Sequence, residues 1–123
     1  MLLKITVVLF LGISQISMAV GTENEFDLAL QDFEAGRLET SIRKLEALAE
    51  EGHADSAFFL GAIYYNGDGT SVDFSSAMKW LKKASKGNHA GAQFLLGLMY
   101  AEGHGVQRNL DATVEWFDKA TRK

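Results

Sequence analysis

Apolar and polar positions alternate with a helical period along most of this chain. Ala54, Ala57, Phe58, Gly61, Ala62 and Tyr65 recur at spacings of three and four, which places them on one face of a helix. Asn66-Gly67-Asp68-Gly69 breaks that helix, and Asp73 is a good N-cap for a second one. Ala77, Trp80, Leu81 and Ala84 give the second helix its own stripe, which runs to Lys86-Gly87. Upstream, Ala29 and Phe33 mark a helix ending at Ala35-Gly36, and Leu38, Ile42, Leu45 and Ala49 mark one ending at Glu51-Gly52. No stretch alternates at period two for long enough to make a strand, so the pattern predicts an all-α chain.

The pattern also repeats. Between His53 and Gly87, eleven of 35 positions carry the same residue 36 places further on. The matches include His53-Ala54 with His89-Ala90, Leu60-Gly61 with Leu96-Gly97, Gly67-x-Gly69 with Gly103-x-Gly105, and Trp80 with Trp116. Asn109 stands where Asp73 caps the earlier helix. Gly61, Gly97, Ala84 and Ala120 are small enough to let neighbouring helices approach closely. The organisation this predicts is a short α-solenoid of about three helical hairpins, over residues 20–52, 53–88 and 89–123. The first hairpin diverges, with a shorter turn and no Trp in its second helix.

Leu-Gly-x-x-Tyr-x-x-Gly-x-Gly followed by Trp-x-x-Lys-Ala resembles the Sel1-like repeat, a relative of the tetratricopeptide repeat. It is carried by Leu60, Gly61, Tyr64, Gly67, Gly69, Trp80, Lys83 and Ala84, and again by Leu96, Gly97, Tyr100, Gly103, Gly105, Trp116, Lys119 and Ala120. The resemblance implies a right-handed superhelix that binds protein or peptide partners, with helix A of each hairpin lining a groove. Thr113 departs from the pattern, which has a small residue there as at Ala77, and a looser last hairpin is expected. The first hairpin is more similar to a plain tetratricopeptide repeat.

The first nineteen residues read differently. Lys4 precedes the apolar run Ile5 to Ile13, and Ser17-Met18-Ala19 supplies small residues at a signal-peptidase site. The run is shorter than the roughly 20 residues a membrane span needs. We therefore expect export with cleavage after Ala19, into a periplasm or outside the cell; an uncleaved anchor is the alternative. The whole chain carries a formal charge of −4, which argues against a nucleic-acid surface and favours a basic partner segment. It has no cysteine, so thiolate chemistry and disulfides are excluded.

Candidate chemistry is sparse, and no catalytic, cofactor-binding or metal-binding residue is expected. His53 and His89 fall near the starts of two helices, about one repeat apart, too far to share an ion. His104 lies in a Gly-x-Gly turn, where a solvated side chain is expected. Asn66-Gly67-Asp68-Gly69-Thr70 has a faint calcium-loop look but lacks the later bidentate carboxylate. Ser41-x-x-Lys44 and Ser76-x-x-Lys79 match the nucleophile pattern of penicillin-interacting enzymes, without its companion motifs. A small β-lactam or cell-wall hydrolase is thus one alternative function, and a specific inhibitor or immunity-type protein another.

The principal expectation is non-catalytic protein binding. Phe58, Ala62, Tyr65, Phe94 and Leu98 would floor the groove, with Asp55, Asn66, Gln93 and Glu102 at its fringe. Repeat arrays normally close with a polar helix, whereas the last helix here carries Leu110, Val114 and Phe117. This face, and Val114 and Phe117 within it, is expected to bind a partner or a second copy.

Overall fold

A computed structural model describes residues 24–122 of the chain; the export segment and its cut after Ala19 lie outside the described residues. Six helices follow one another, α1 (Glu25–Glu34), α2 (Leu38–Glu50), α3 (Ala54–Asn66), α4 (Phe74–Lys86), α5 (Ala90–Glu102) and α6 (Leu110–Thr121). They pair as three hairpins, α1/α2, α3/α4 and α5/α6. Consecutive helices pack on each other, and α2 also touches α4 as α3 touches α5. Contacts thus run between neighbouring units, the arrangement of an α-solenoid. No helix among the described residues is long and apolar enough to cross a membrane.

Each hairpin closes on small residues. A Cβ built on Gly61 would lie 2.6 Å from Leu81 Cδ2, and one on Gly97 would lie 2.5 Å from Phe117 Cε1. Leu81 therefore presses on Gly61 within its own unit, and Phe117 presses on Gly97 in the same way. This corrects the expectation that Leu81, and by analogy Phe117, faces outward toward a following unit. Around these contacts Leu45, Leu60, Ile63, Leu81, Leu96 and Met99 are fully buried, as are Ala29, Ala49, Ala77, Ala84 and Ala92. The loop of each Gly-x-Gly unit is tied in the same manner. The Asp73 amide donates to the Tyr64 carbonyl and the Asn109 amide to the Tyr100 carbonyl, both at 2.8 Å. Asp73 and Asn109 then cap α4 and α6 through their side chains.

Thr113 does not loosen the last hairpin. It is buried, and its hydroxyl lies 3.1 Å from the Gly97 carbonyl and 3.1 Å from the Asn109 carbonyl. The extra polar atom is accommodated by hydrogen bonding, which removes its desolvation penalty.

Ser41 does the same in the first hairpin, donating to the Ala29 carbonyl at 2.7 Å. Ser41, Ala77 and Thr113 are successive residues of the 36-residue period, so Ala29 holds the place of Gly61 and Gly97. Helix α1 is therefore in register with α3 and α5 once four residues are added to its shorter turn. In that register Asp32 takes the place of Tyr64 and Tyr100, and Lys44 that of Trp80 and Trp116. Where the later hairpins have an aromatic pair, the first has an ion pair. Lys44 Nζ is 2.8 Å from Asp32 Oδ2 and Arg37 Nε is 2.8 Å from Asp32 Oδ1. Lys44, and after it Arg37, hold the buried Asp32 carboxyl below the usual aspartate range.

Candidate functional site

The junctions between units explain where most of the expected binding residues stand. At the start of α3, His53 Nδ1 accepts the Ser56 amide at 3.1 Å, and at the start of α5, His89 Nδ1 accepts the Ala92 amide at 3.1 Å. Both histidines are thus helix N-caps, and each ring also rests on an aromatic residue of the preceding unit. Phe26 and His53 are tilted, with centroids 5.1 Å apart, while Phe58 and His89 stack at 4.4 Å. Because His89 Nδ1 accepts, the neutral ring carries its proton on Nε2, which lies 3.0 Å from Asp55 Oδ1 and donates to it. Sequence reasoning placed the two histidines at helix starts but missed the capping role.

The Gly-x-Gly turns form the other half of each junction. Gly69 and Gly105 have φ of +79° and +77°, and an added Cβ would meet Leu38 Cδ2 or Phe74 Cβ at 2.9 Å. Glycine is thus required both by the left-handed backbone and by close approach to the preceding unit. His104 is not a solvated turn residue. It stacks on Phe74 with centroids 4.4 Å apart, and its Nδ1 is 3.3 Å from the Tyr65 hydroxyl. Burial, and then the Glu102 carboxylate, push the Tyr65 phenol above its ordinary pKa.

Asp55, Phe58 and Tyr65 therefore hold two units together, whatever part of them a ligand also meets. Ala62 and Leu98 occupy matching half-buried positions. Asn66 is exposed beside Asp68, and Glu102 is exposed with its carboxylate 3.4 Å from His104 Nδ1. Gln93, expected at the fringe, is buried. Phe94 stacks on Phe117 at 5.0 Å yet is 51% exposed. Val114 is 66% exposed and Leu110 is 53% exposed. Val114 and Phe117 line one shallow depression with Asp118 and Thr121.

The residues that invited a catalytic reading are otherwise engaged. Ser41 is buried on the Ala29 carbonyl and Lys44 is paired with Asp32. Ser76 Oγ donates to Asp73 Oδ2 at 2.8 Å, and Lys79 Nζ lies 4.5 Å from the centre of the Trp80 ring. No group of three or more His, Asp or Glu side chains among the described residues is placed to hold a metal ion.

Six stacked helices with capped, interlocking hairpins define a helical-repeat scaffold. A model of the Sel1 repeat matches residues 54–89 and 90–123, and the chain belongs to the Sel1 repeat family. Among solved structures it is similar to a Sel1 repeat protein from Oxalobacter formigenes, at 28% identity and a TM-score of 0.69 over 76% of this chain. It is also similar to a protective antigen of uropathogenic Escherichia coli that displays an SLR fold, at 31% identity and a TM-score of 0.62 over 65% of this chain. The similarity spans 38% of the first protein and 17% of the second. A comparison with curated proteins finds no match. Sel1 repeat proteins generally mediate protein–protein interaction, and the fold is typically a non-catalytic scaffold.

Proposed function

We propose that this chain is an exported, non-catalytic protein-binding module that acts as an adaptor or regulator in the cell envelope. The observation that carries the reading is the cluster of Phe94, Leu110 and Val114, each half or more exposed on the last hairpin. Isolated exposed apolar residues are ordinary, but several on one face mark an interaction surface. The histidine caps and glycine turns fix that face on a preorganised scaffold, so little ordering entropy is lost on binding. Export is supported by Lys4, the apolar run Ile5 to Ile13 and the small residues before Val20.

Two measurements test the reading. The chain expressed in a Gram-negative host is expected in the periplasmic fraction with Val20 as its first residue; a cytoplasmic chain starting at Met1 contradicts export. Affinity capture with the intact chain and with a Leu110→Asp/Val114→Asp variant tests binding. A specific partner retained by the first and lost by the second supports it, and identical sets of captured proteins contradict it.

A further inference from the structure

The internal junctions show what chemistry covers each position of a unit's trailing face. In the register set by Ala29 and Gly97, Phe26 corresponds to Phe58 and Phe94. By the 36-residue period, Leu38 corresponds to Phe74 and Leu110, and Ile42 to Met78 and Val114. At the first junction Phe26 is covered by the His53 ring and Leu38 by the Gly69 turn, while Ile42 packs against the core. At the second junction His89 covers Phe58, Gly105 and His104 cover Phe74, and Met78 is buried. At the last hairpin the same three positions are Phe94, Leu110 and Val114, and all are exposed. A phenylalanine, a leucine and a β-branched residue thus recur there in the places that seat the second unit on the first.

We infer that Phe94, Leu110 and Val114 seat a helical hairpin of another protein, one built like the second unit of this chain. Its first helix opens with a capping histidine that stacks on Phe94, and its Gly-x-Gly turn closes over Leu110. The inference deepens the protein-binding reading and rests on it by naming the kind of partner. A second copy docking head to tail does not supply these groups. Its His53 and Gly69 are already used inside, and its described leading helix opens with Asn24 and ends in a turn whose single glycine is Gly36. The remaining surface of Phe94 is free for a ring, because its stack on Phe117 leaves it half exposed.

The test titrates the full chain with a synthetic peptide copying residues 52–87, followed by calorimetry. A one-to-one complex is expected, weakened at least tenfold by Leu110→Asp/Val114→Asp in the chain or by His53→Ala in the peptide. Val72→Asp, an exposed position away from this face, should leave the affinity unchanged. Because a free peptide can fail to fold, the same 36 residues are also fused after Lys123. The fusion should raise the melting temperature and slow amide exchange in α6, and Leu110→Asp/Val114→Asp should abolish both effects. No binding by the peptide together with no gain from the fusion overturns the inference. Self-association that Leu110→Asp abolishes, in a chain blind to the peptide, also overturns it and gives the face to a second copy. A cellular partner lost on Tyr65→Ala/Leu98→Ala but kept by Leu110→Asp/Val114→Asp leaves the protein-binding reading standing and removes this one.

Discussion

Phe58 and His89 stack face to face across a junction, with ring centroids 4.4 Å apart and planes inclined by 19°. The same imidazole caps α5 through Nδ1 and reaches Asp55 through Nε2, so one side chain ends a loop, starts a helix and joins two units. Loss of an N-cap costs about 0.5–2 kcal/mol, and an aromatic pair adds about 0.5–1.5 kcal/mol. His89→Ala should therefore lower the stability by roughly 1–3 kcal/mol in urea titration. His89→Asn keeps a capping oxygen without the ring and should fall between the two. Equal stability of all three proteins would remove the junction from the account.

The Asp32–Lys44 pair makes a different prediction. Its carboxyl titrates below the usual aspartate value of about 3.9 because Lys44 and Arg37 favour the ionised form. A carboxyl lowered in the folded state contributes stability above its unfolded pKa and loses it as pH falls through the folded value. Asp32→Asn should thus melt at a lower temperature than the parent at neutral pH, and the gap should close as the pH drops below about 4. Restoring the pattern of the later hairpins with Asp32→Tyr/Lys44→Trp should give a protein at least as stable as the parent, since apolar replacement of a buried ion pair is often neutral or better. A double variant less stable than Asp32→Asn alone would show that the two positions are not equivalent to Tyr64 and Trp80.

Gly61 and Gly97 occupy the same place but should not respond alike to alanine. A new Cβ at either would overlap a side chain, Leu81 or Phe117. Leu81 is fully buried and has nowhere to go, whereas Phe117 is only half-buried and can swing outward. Gly61→Ala should cost about 1–3 kcal/mol by overpacking. Gly97→Ala should cost less, because Phe117 yields and alanine brings roughly 1 kcal/mol of helix propensity. Chemical denaturation of the two variants checks the order, and a larger loss for Gly97→Ala would contradict it.

Much of this fold is legible in the 36-residue period, because glycine, tryptophan and capping residues recur with the geometry that needs them. Asp73 and Asn109 cap the helices that their positions imply, and Gly67 and Gly103 end the helices before them. Other features were hidden for physical reasons. A histidine caps a helix only when its Nδ1 is turned to accept, which composition does not reveal; its recurrence three residues before Ser56 and Ala92 was the available signal. The register of α1 was masked by its shortened turn, so Asp32 and Lys44 read as surface charges rather than substitutes for an aromatic pair. For the candidate site, helix periodicity could identify an apolar face but could not say which residues a neighbouring unit already covers. Phe58 and Tyr65 are spent on junctions, while Leu110 is left exposed.

Photo-crosslinking in living cells tests the binding claim most directly, with a crosslinking residue placed at Val114 in one protein and at Val72 in another. Both positions are exposed, but only Val114 lies on the last hairpin's apolar face. The account predicts a discrete crosslinked protein from position 114 that is absent from position 72 and disappears when Leu110→Asp is added. The same products from both positions, or none from position 114, would contradict it.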